Sequence, residues 1–169
     1  MKINEVTNSE IQYRIYPPSA FSLVTRKKLA DLIKRGGETN ERNVNRNLRE
    51  GHAIAFARYN GEPIAVAIVK NPHASYRNKV FTAAGVAELE QQYPYELGYF
   101  MTDPAYRGQG VSTKLMNLIN QNVAGHIYST TRESNTVMNH MLQTAGFKQA
   151  GSAYPSALGR GHNLLLWVK

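Results

Sequence analysis

A glycine-rich turn between an apolar segment and an amphipathic segment is the first place in this chain where chemistry can be expected. The segment from Glu96 to Thr102 is apolar and aromatic, Asp103-Pro104 ends it, and Arg107-Gly108-Gln109-Gly110 leads into a helical pattern. Glycine lets the backbone approach a ligand closely, and the first amides of a helix have no partner inside it. The order strand, turn, helix therefore predicts an anion site that suits phosphate.

Two common phosphate-binding motifs do not fit this turn. A Walker A loop needs Gly-Lys-Ser or Gly-Lys-Thr, which occurs nowhere in the chain, and a dinucleotide fingerprint needs a third glycine where Thr113 stands. For two glycines alone, a plain turn with a helix cap is the simpler alternative.

Composition excludes several classes of chemistry. At 169 residues, of which 42% are hydrophobic, the chain is predicted to be one globular domain spanning 1–169. It contains no cysteine, so disulfides, Cys-ligated zinc and thiol nucleophiles are excluded. The five histidines show no ligand spacing such as His-x-x-x-His, and no metal site is predicted.

The charge balance indicates an acidic partner. Twenty Lys and Arg residues against twelve Asp and Glu residues give a net charge of +8, which suits nucleic acid, an anionic cofactor or a membrane surface. Neither a signal pattern in Met1 to Glu5 nor an apolar run of membrane-spanning length is found. We therefore expect a cytoplasmic monomer or homodimer without a membrane partner.

Hydrophobic periodicity predicts an α/β fold with strands and helices in the order β, α, α, β, β, β, α, β, α, β, β. The Asn60-Gly61 pair predicts a hairpin between the second and third strands. The segment 71–92 is predicted as an excursion with a short helix or strand that could line a substrate cleft. The predicted strands are 11–16, 53–59, 63–69, 95–102, 127–131, 147–154 and 163–168, and the helices are 21–35, 40–50, 111–124 and 135–145.

The glycine turn resembles the signature of the GNAT superfamily of acyl-CoA-dependent N-acyltransferases. That signature reads Arg or Gln-x-x-Gly-x-Gly or Ala, and Arg107 to Ser112 matches it except that Ser112 replaces Gly or Ala. A later part of the pattern has an Asn that opens a helix, an aromatic residue seven positions on, and Gly-Phe. Asn135 and Gly146-Phe147 match it, whereas Leu142 replaces the aromatic residue.

The resemblance implies a mostly antiparallel central sheet of about seven strands, flanked by about four helices and splayed between strands four and five. It implies acetyl-CoA as the donor, with no metal, and a pantetheine arm that enters the splay. The backbone of Met101 and Thr102 would meet the pantetheine amide, and Asn135 would face the pantetheine or its thioester. The pyrophosphate would be wrapped by Arg107, Gly108, Gln109, Gly110, Val111, Ser112 and Thr113.

The reaction implied by the resemblance is N-acetyl transfer by direct attack of a primary amine on the thioester. A protonated amine cannot attack, so a base must remove a proton, directly or through a water. Glu96 lies eleven residues before Arg107, where histone-acetylating members carry a catalytic glutamate. The alternative is that Glu96 is an ordinary carboxylate at the edge of a strand.

The general acid is less clearly defined, because many relatives carry a Tyr at the position of Leu142 and leucine cannot donate a proton. The thiolate could leave unprotonated, which the modest pKa of a thiol allows, or the domain could bind acyl-CoA without turnover. Histidines at 73, 140 and 162 are further acid or base candidates, although surface positions explain them more simply. The hydroxyl groups that could serve instead are those of Ser134, Tyr128 and Tyr154.

The acceptor amine is the least determined part of the prediction. Arg42, Arg46 and Arg49 share one face of the second helix, which is either a solvated surface or a set of phosphate contacts. Together with the net charge, they allow a nucleic-acid-linked amine, on tRNA or DNA, and protein N-termini, lysines and antibiotics are the alternative acceptors. The alternative function is a non-catalytic acyl-CoA-binding or nucleic-acid-binding module of the same fold.

Overall fold

A computed structural model describes residues 10–37, 39–159 and 161–169. Within these ranges, five α-helices flank one sheet of seven strands. The strands are β1 (Gln12–Tyr16), β2 (Ala53–Tyr59), β3 (Glu62–Lys70), β4 (Tyr95–Thr102), β5 (Ile127–Arg132), β6 (Lys148–Pro155) and β7 (Asn163–Val168). The helices are α1 (Leu23–Arg35), α2 (Glu41–Glu50), α3 (Ala74–Ala83), α4 (Val111–Asn122) and α5 (Thr136–Thr144).

The strands are ordered β1-β2-β3-β4-β5-β7-β6, and every neighbouring pair is antiparallel except β4 with β5. That parallel pairing covers only the three residues 95–97 of β4, opposite 127–129 of β5. β4 then runs on to Thr102 without a partner on this side. The predicted mostly antiparallel sheet, splayed between strands four and five, is confirmed.

The hairpin between β2 and β3 is also confirmed. Tyr59 pairs with Glu62, so the loop consists of Asn60 and Gly61. Their φ angles of 49° and 79° are those of a type I′ turn, whose twist matches that of the flanking strands.

The segment 71–92 contains more helix than the sequence predicts, and the helix count is therefore five instead of about four. It consists of α3 and a short 3-10 helix at Ala87–Gln92. Only the adjacent residues Val80 and Phe81 of α3 are buried, so no helical spacing of apolar residues marks the element. The Arg77 side chain anchors it by donating to Glu90 Oε1 at 2.5 Å and to the carbonyl of Pro94 at 3.4 Å.

The two faces of the sheet carry different cores. On the face we call face A, α1 and α2 pack on Ile54, Phe56 and Ile68, and α3 packs on the end formed by β5, β6 and β7. On the opposite face B, α4 and α5 pack on a surface that includes five alanines of β2 and β3. The small side chains leave room for α4 to lie close to the sheet. No helix in the described ranges is both long and apolar enough to cross a bilayer.

Candidate active site

The site is created where β4 separates from β5. The last pair is Leu97 with Ser129, and the buried Ser129 hydroxyl donates to the Leu97 carbonyl at 2.9 Å. Immediately beyond, β4 has a bulge in which Tyr99 and Phe100 together oppose one residue of β3, and Tyr99 has a φ of 48°. Because a bulge bends and twists its strand, it directs the rest of β4 away from β5.

The resulting gap forms a groove. Its inner part, of about 760 Å3, lies between β4 and β5 and reaches the end of α1 and the start of α5. Its outer part, of about 800 Å3, runs along the glycine turn and the first turns of α4. We call the two parts together the central groove, because they share the lining residues Gly36, Phe100, Met101, Asn135 and Met138.

The outer end of the central groove has the features that suit an anion. Gly108 and Gly110 have φ angles of 74° and 77°, and a Cβ added at either would meet no atom within 4 Å. The first hydrogen bond into α4 is donated by the Lys114 amide to the Gly110 carbonyl at 3.0 Å. Among the described residues, the amides of 108–113 have no acceptor. Free amides beside open space, at the positive end of the helix dipole, suit a pyrophosphate.

Short polar contacts hold this turn against the end of β4. Arg107 Nε donates to the Thr102 carbonyl at 3.1 Å, and the hydroxyls of Thr102 and Ser112 share a hydrogen bond of 2.8 Å. In the sequence Ser112 is only a departure from the family pattern. In the structure its hydroxyl joins the first turn of α4 to the strand that leads into the turn.

The structure brings the predicted cofactor residues together along the central groove. Asn135 lines both parts, and its side chain caps α5 by accepting a hydrogen bond from the Met138 amide at 3.2 Å. Gln109 is exposed and its side chain donates to the Ala105 carbonyl at 3.3 Å. The other predicted residues that line the groove are Met101, Thr102, Arg107, Gly108, Gly110, Val111, Ser112 and Thr113. Their roles in binding stay predictions.

Glu96 lies at the inner end of this arrangement but is covered. Its residue is 3% exposed, and it faces Lys70 of β3 and Tyr128 of β5 across the sheet. Lys70 Nζ is 3.5 Å from Oε2, and the hydroxyls of Tyr76 and Thr130 are 3.3 Å and 3.5 Å from Oε1. Thr130 also lines the central groove, so this hydroxyl connects the buried carboxylate to the groove wall.

Three tyrosines from different elements surround Glu96, and we call them the tyrosine cluster: Tyr76 of α3, Tyr128 of β5 and Tyr154 of β6. Tyr128 and Tyr154 are buried, and their hydroxyls have no hydrogen-bond partner among the described residues. Burial, and after it the charge of Glu96, raises the pKa of all three and that of Tyr154 to about 12. These hydroxyls therefore stay protonated to a higher pH than the hydroxyl of an exposed tyrosine.

The candidate general acids lie in different places. Tyr154 and Tyr128 are buried in the tyrosine cluster with Glu96, whereas Ser134 is exposed just before α5. None of the three is among the described residues that line the groove. Leu142 is fully buried in the core of face B. The assignments of Glu96, Ser134 and Tyr154 stay predictions.

The histidines occupy separate positions. His162 lines the inner part of the central groove, His140 lines the outer part, and His73 is an exposed residue that precedes α3. In the described ranges, no three acidic or histidine side chains are grouped as metal ligands would be.

Sequence reasoning did not assign roles to Lys70, Tyr76 and Thr130, which contact Glu96. Their separations from Glu96 along the chain are 26, 20 and 34 residues. The only indication in the sequence was that Lys70 lies at the end of the strand before the excursion, which could pair with the strand of Glu96. Without the register of β3 against β4, this indication does not identify Lys70 as the partner of Glu96.

Comparison with known proteins shows that the chain is similar to acetyltransferases. A model of the "Acetyltransferase (GNAT) family" matches residues 13–147. The sequence matches no curated protein at a significant level.

Solved acetyltransferase structures share the fold over nearly the whole chain. The ribosomal-protein-S18-alanine N-acetyltransferase from Escherichia coli has a TM-score of 0.64 at 16% identity, covering 93% of this chain and 92% of its own. NAA60 from Arabidopsis thaliana, in complex with a bisubstrate analogue, has a TM-score of 0.65 at 15% identity, covering 95% and 97%. A putative GNAT acetyltransferase from Desulfovibrio desulfuricans has a TM-score of 0.69 at 11% identity, covering 95% and 98%.

Proposed function

Because the chain belongs to the GNAT acetyltransferase family, we propose that it is an N-acetyltransferase that transfers the acetyl group of acetyl-CoA to a primary amine. The observation that carries the proposal is the central groove. It connects the free amides of 108–113 with the gap between β4 and β5, and the buried carboxylate of Glu96 lies beside its inner end.

Acetyl-CoA would lie along the whole groove and supply an activated thioester at its inner end. The free amides and the dipole of α4 match the charge of the pyrophosphate. The unpaired stretch of β4 offers its backbone to the pantetheine, with Met101 and Thr102 as the proposed contacts. Asn135 caps α5 at the junction of the two parts of the groove, where it would meet the pantetheine or the thioester.

Glu96 is the proposed base. The amine must lose a proton to attack, and a carboxylate held near the groove can receive it. Because Glu96 itself is covered, the proton would pass through the Thr130 hydroxyl or a water at the groove wall. Lys70 supplies the opposite charge that a buried carboxylate requires.

Tyr154 is the proposed acid for the departing thiolate. Its position in the tyrosine cluster beside Glu96 supports it over the exposed Ser134. Departure of the thiolate without protonation is the competing possibility, because Leu142 cannot donate.

Calorimetry with acetyl-CoA tests the proposal. The double variant Arg107→Glu/Gly110→Asp places two carboxylates at the anion end of the groove, and we expect binding to collapse. The matched control Lys148→Glu/Gly61→Asp makes the same charge change at an exposed lysine and at a glycine of similar φ, 79°, with open space around it. If the first pair of substitutions leaves the affinity unaltered, the cofactor assignment is wrong.

The proposed acceptor is a primary amine that is linked to an anionic molecule, such as aminoacyl-tRNA or a modified base of a nucleic acid. The net charge of +8 supports this. Arg42, Arg46 and Arg49 lie on α2 and are not among the described residues that line the groove, so they could contact only more distant parts of an acceptor. A screen with labelled acetyl-CoA should include charged tRNA, duplex DNA, peptides and small amines, with the salt dependence of binding measured for any nucleic acid.

A second candidate function is acyl-CoA binding without turnover. It is favoured by the burial of Glu96 and by the leucine at position 142. A single-turnover measurement of free CoA in the presence of the amine panel separates the two functions, because only the transferase releases CoA when an amine is added.

A further inference from the structure

The amine of Lys70 lies closer to Glu96 than any other cationic group of the described chain. Lys70 is the last residue of β3, and its Nζ is 3.5 Å from Glu96 Oε2 and 4.3 Å from the centre of the Tyr99 ring. The side chain is 16% exposed. Among the described residues, no other lysine or arginine forms an ion pair with Glu96. An amine and a carboxylate thus lie together behind Tyr99 and Thr130, which line the groove, although neither Lys70 nor Glu96 is itself among the described lining residues.

Gly98 is what allows Lys70 to reach this position. A Cβ added at Gly98 would lie 2.6 Å from both Cε and Nζ of Lys70, closer than side chains tolerate. Gly98 is not among the glycines with positive φ, so space for the lysine, and not backbone conformation, is the reason for glycine there. Gly98 and Tyr99 line the inner part of the groove at the point where β4 leaves β5. The lysine amine therefore lies against the residues that would surround the thioester.

We propose that Lys70 is an acyl acceptor of the protein's own reaction, and that the chain acetylates its Lys70 Nζ when acetyl-CoA is bound and no amine substrate is present. The proposal rests on the proposed function, since acetyl-CoA must occupy the groove. It adds a site of covalent modification to that function, because transfer to an external amine does not need Lys70 as an acceptor.

The reaction uses the same groups as transfer to an external amine. Glu96 takes a proton from the Lys70 ammonium, and the neutral Nζ attacks the carbonyl carbon of the thioester. A C–N bond forms, the C–S bond breaks, and the sulfur leaves with the electron pair. The attacking nitrogen still carries two protons after the C–N bond forms, and one of them passes to the thiolate. The proton held by Glu96 passes to solvent, so that the products are Nε-acetyl-Lys70, CoA and one proton.

Other lysines of the described chain lack this combination of neighbours. Lys28 and Lys34 form exposed ion pairs with Glu62 and Glu41. Lys169 donates to a backbone carbonyl. None of these contacts places the amine beside both a buried carboxylate and the residues of the groove wall. The reaction is therefore expected at one lysine.

Acetylation of Lys70 would stop further transfer. The amide is neutral, so Glu96 loses its ion-pair partner, and the added acetyl group occupies the wall of the groove where an external amine would approach. An amide is not reversed by CoA under ordinary conditions, so each chain would react once. An amine substrate that binds in the groove would compete with Lys70 and protect it.

The experiment incubates the full chain with acetyl-CoA without an amine and follows it by intact mass spectrometry and peptide mapping. We expect one acetyl group per chain, located on Lys70. Lys70→Arg keeps the charge and should lose the modification, whereas Lys79→Arg, at an exposed position of α3, should keep it. Glu96→Gln should slow the modification about a hundredfold. Circular dichroism checks that the variants fold. The peptide map of the unaltered chain tests the site of acetylation even if a variant fails to fold.

Each outcome decides between the possibilities. Acetyl groups spread over surface lysines at rates that Lys70→Arg leaves unchanged would show chemical acylation and overturn the proposal. An unmodified Lys70 in a chain that binds acetyl-CoA and acetylates an added amine would overturn it while the proposed function stands. If calorimetry detects no binding of acetyl-CoA, the proposed function fails and this proposal fails with it.

Discussion

At the scale of single residues, the proposed chemistry depends on how a carboxylate is kept below the surface. Glu96 is 3% exposed, and an ionised carboxylate in such a place needs a counter-charge and hydrogen bonds. Lys70 supplies the charge, and Tyr76 and Thr130 supply the hydroxyls. Of these three partners, Thr130 also lines the groove and so connects Glu96 to it.

The first prediction concerns Glu96 as the base. Glu96→Gln keeps the size and a hydrogen-bonding carbonyl but cannot take up the proton, so turnover should fall about a hundredfold. Acetyl-CoA affinity, measured by calorimetry, should stay nearly intact because the anion end of the groove is untouched. Glu88→Gln, at an exposed position, is the matched control. An unchanged pH–rate profile in Glu96→Gln would identify another residue as the base.

The second prediction concerns the tyrosine cluster at high pH. Burial, followed by the charge of Glu96, raises the pKa of Tyr154 from 10.0 to about 12. Above pH 10 the unfolded chain loses this proton while the folded chain keeps it, so the free energy of unfolding falls as pH rises. The loss is about 1.4 kcal/mol per pH unit up to about pH 12, where the folded state also titrates.

Tyr154→Phe should remove this contribution. In urea unfolding between about pH 9 and about pH 12, the variant should lose stability less steeply than the unaltered chain. Tyr16→Phe, which removes the hydroxyl of a partly exposed tyrosine, serves as the control. Equal slopes for Tyr154→Phe and the unaltered chain would contradict the role given to burial.

At the scale of elements, irregularities in two strands shape the site. The bulge of β4 directs the strand away from β5 and opens the central groove. In β6, the register shifts between Ala150 and Tyr154, so that extra residues bulge out opposite β7. That bulge contacts the end of α3, where the Ser152 amide donates to the Ala84 carbonyl at 3.0 Å. It thereby joins the elements that contribute Tyr76 and Tyr154 to the tyrosine cluster.

The third prediction tests this second bulge. Gly151 has a φ of 66°, and a Cβ there would lie 2.0 Å from the Ala84 carbonyl oxygen. Gly151→Ala should therefore lower the free energy of unfolding by about 3 kcal/mol or more, through strain and a clash with backbone. Gly159 has a similar φ of 64° but open space around it. Gly159→Ala should therefore lower the free energy of unfolding by only about 1 kcal/mol. Similar losses for the two variants would show that the contact with Ala84 contributes little.

At the scale of the whole molecule, the central groove lies between two halves of the sheet, β1 to β4 on one side and β5 to β7 on the other. Only three residue pairs join these halves at the β4–β5 boundary. A ligand that spans the groove would contact both halves and α4 at once. The excess of positive charge favours the approach of an anionic ligand such as acetyl-CoA.

The fourth prediction follows from this arrangement. At about 100 times its Kd, acetyl-CoA should stabilise the folded chain by about 2.7 kcal/mol, because it binds the native state alone. For a chain of this size, Tm should rise by roughly 5 to 10 °C in calorimetric scans. The variant Arg107→Glu/Gly110→Asp should show no rise. A rise of equal size in that variant would mean that acetyl-CoA binds elsewhere.

Much of the fold could be predicted because its signals are local. Alternating residues, the Asn60-Gly61 turn and the helix caps each act within a few positions, and the predicted strand limits agree closely with those of the structure. The excursion at 71–92 could not be resolved, because α3 buries only two adjacent residues and shows no helical face. Its place in the fold depends on contacts with β5 and β6, which no local pattern encodes.

The sequence by itself predicted the turn proposed to bind the cofactor, because Met101 to Thr113 are contiguous and their geometry follows from glycines and a helix start. Only the tertiary structure decided the surroundings of Glu96. Its partners come from β3, α3 and β5, at separations of 20 to 34 residues, and strand register with helix packing brings them together. Register depends on the summed burial of whole strands. Glu96 can be identified in the sequence of one strand, but its surroundings exist only when the sheet has formed.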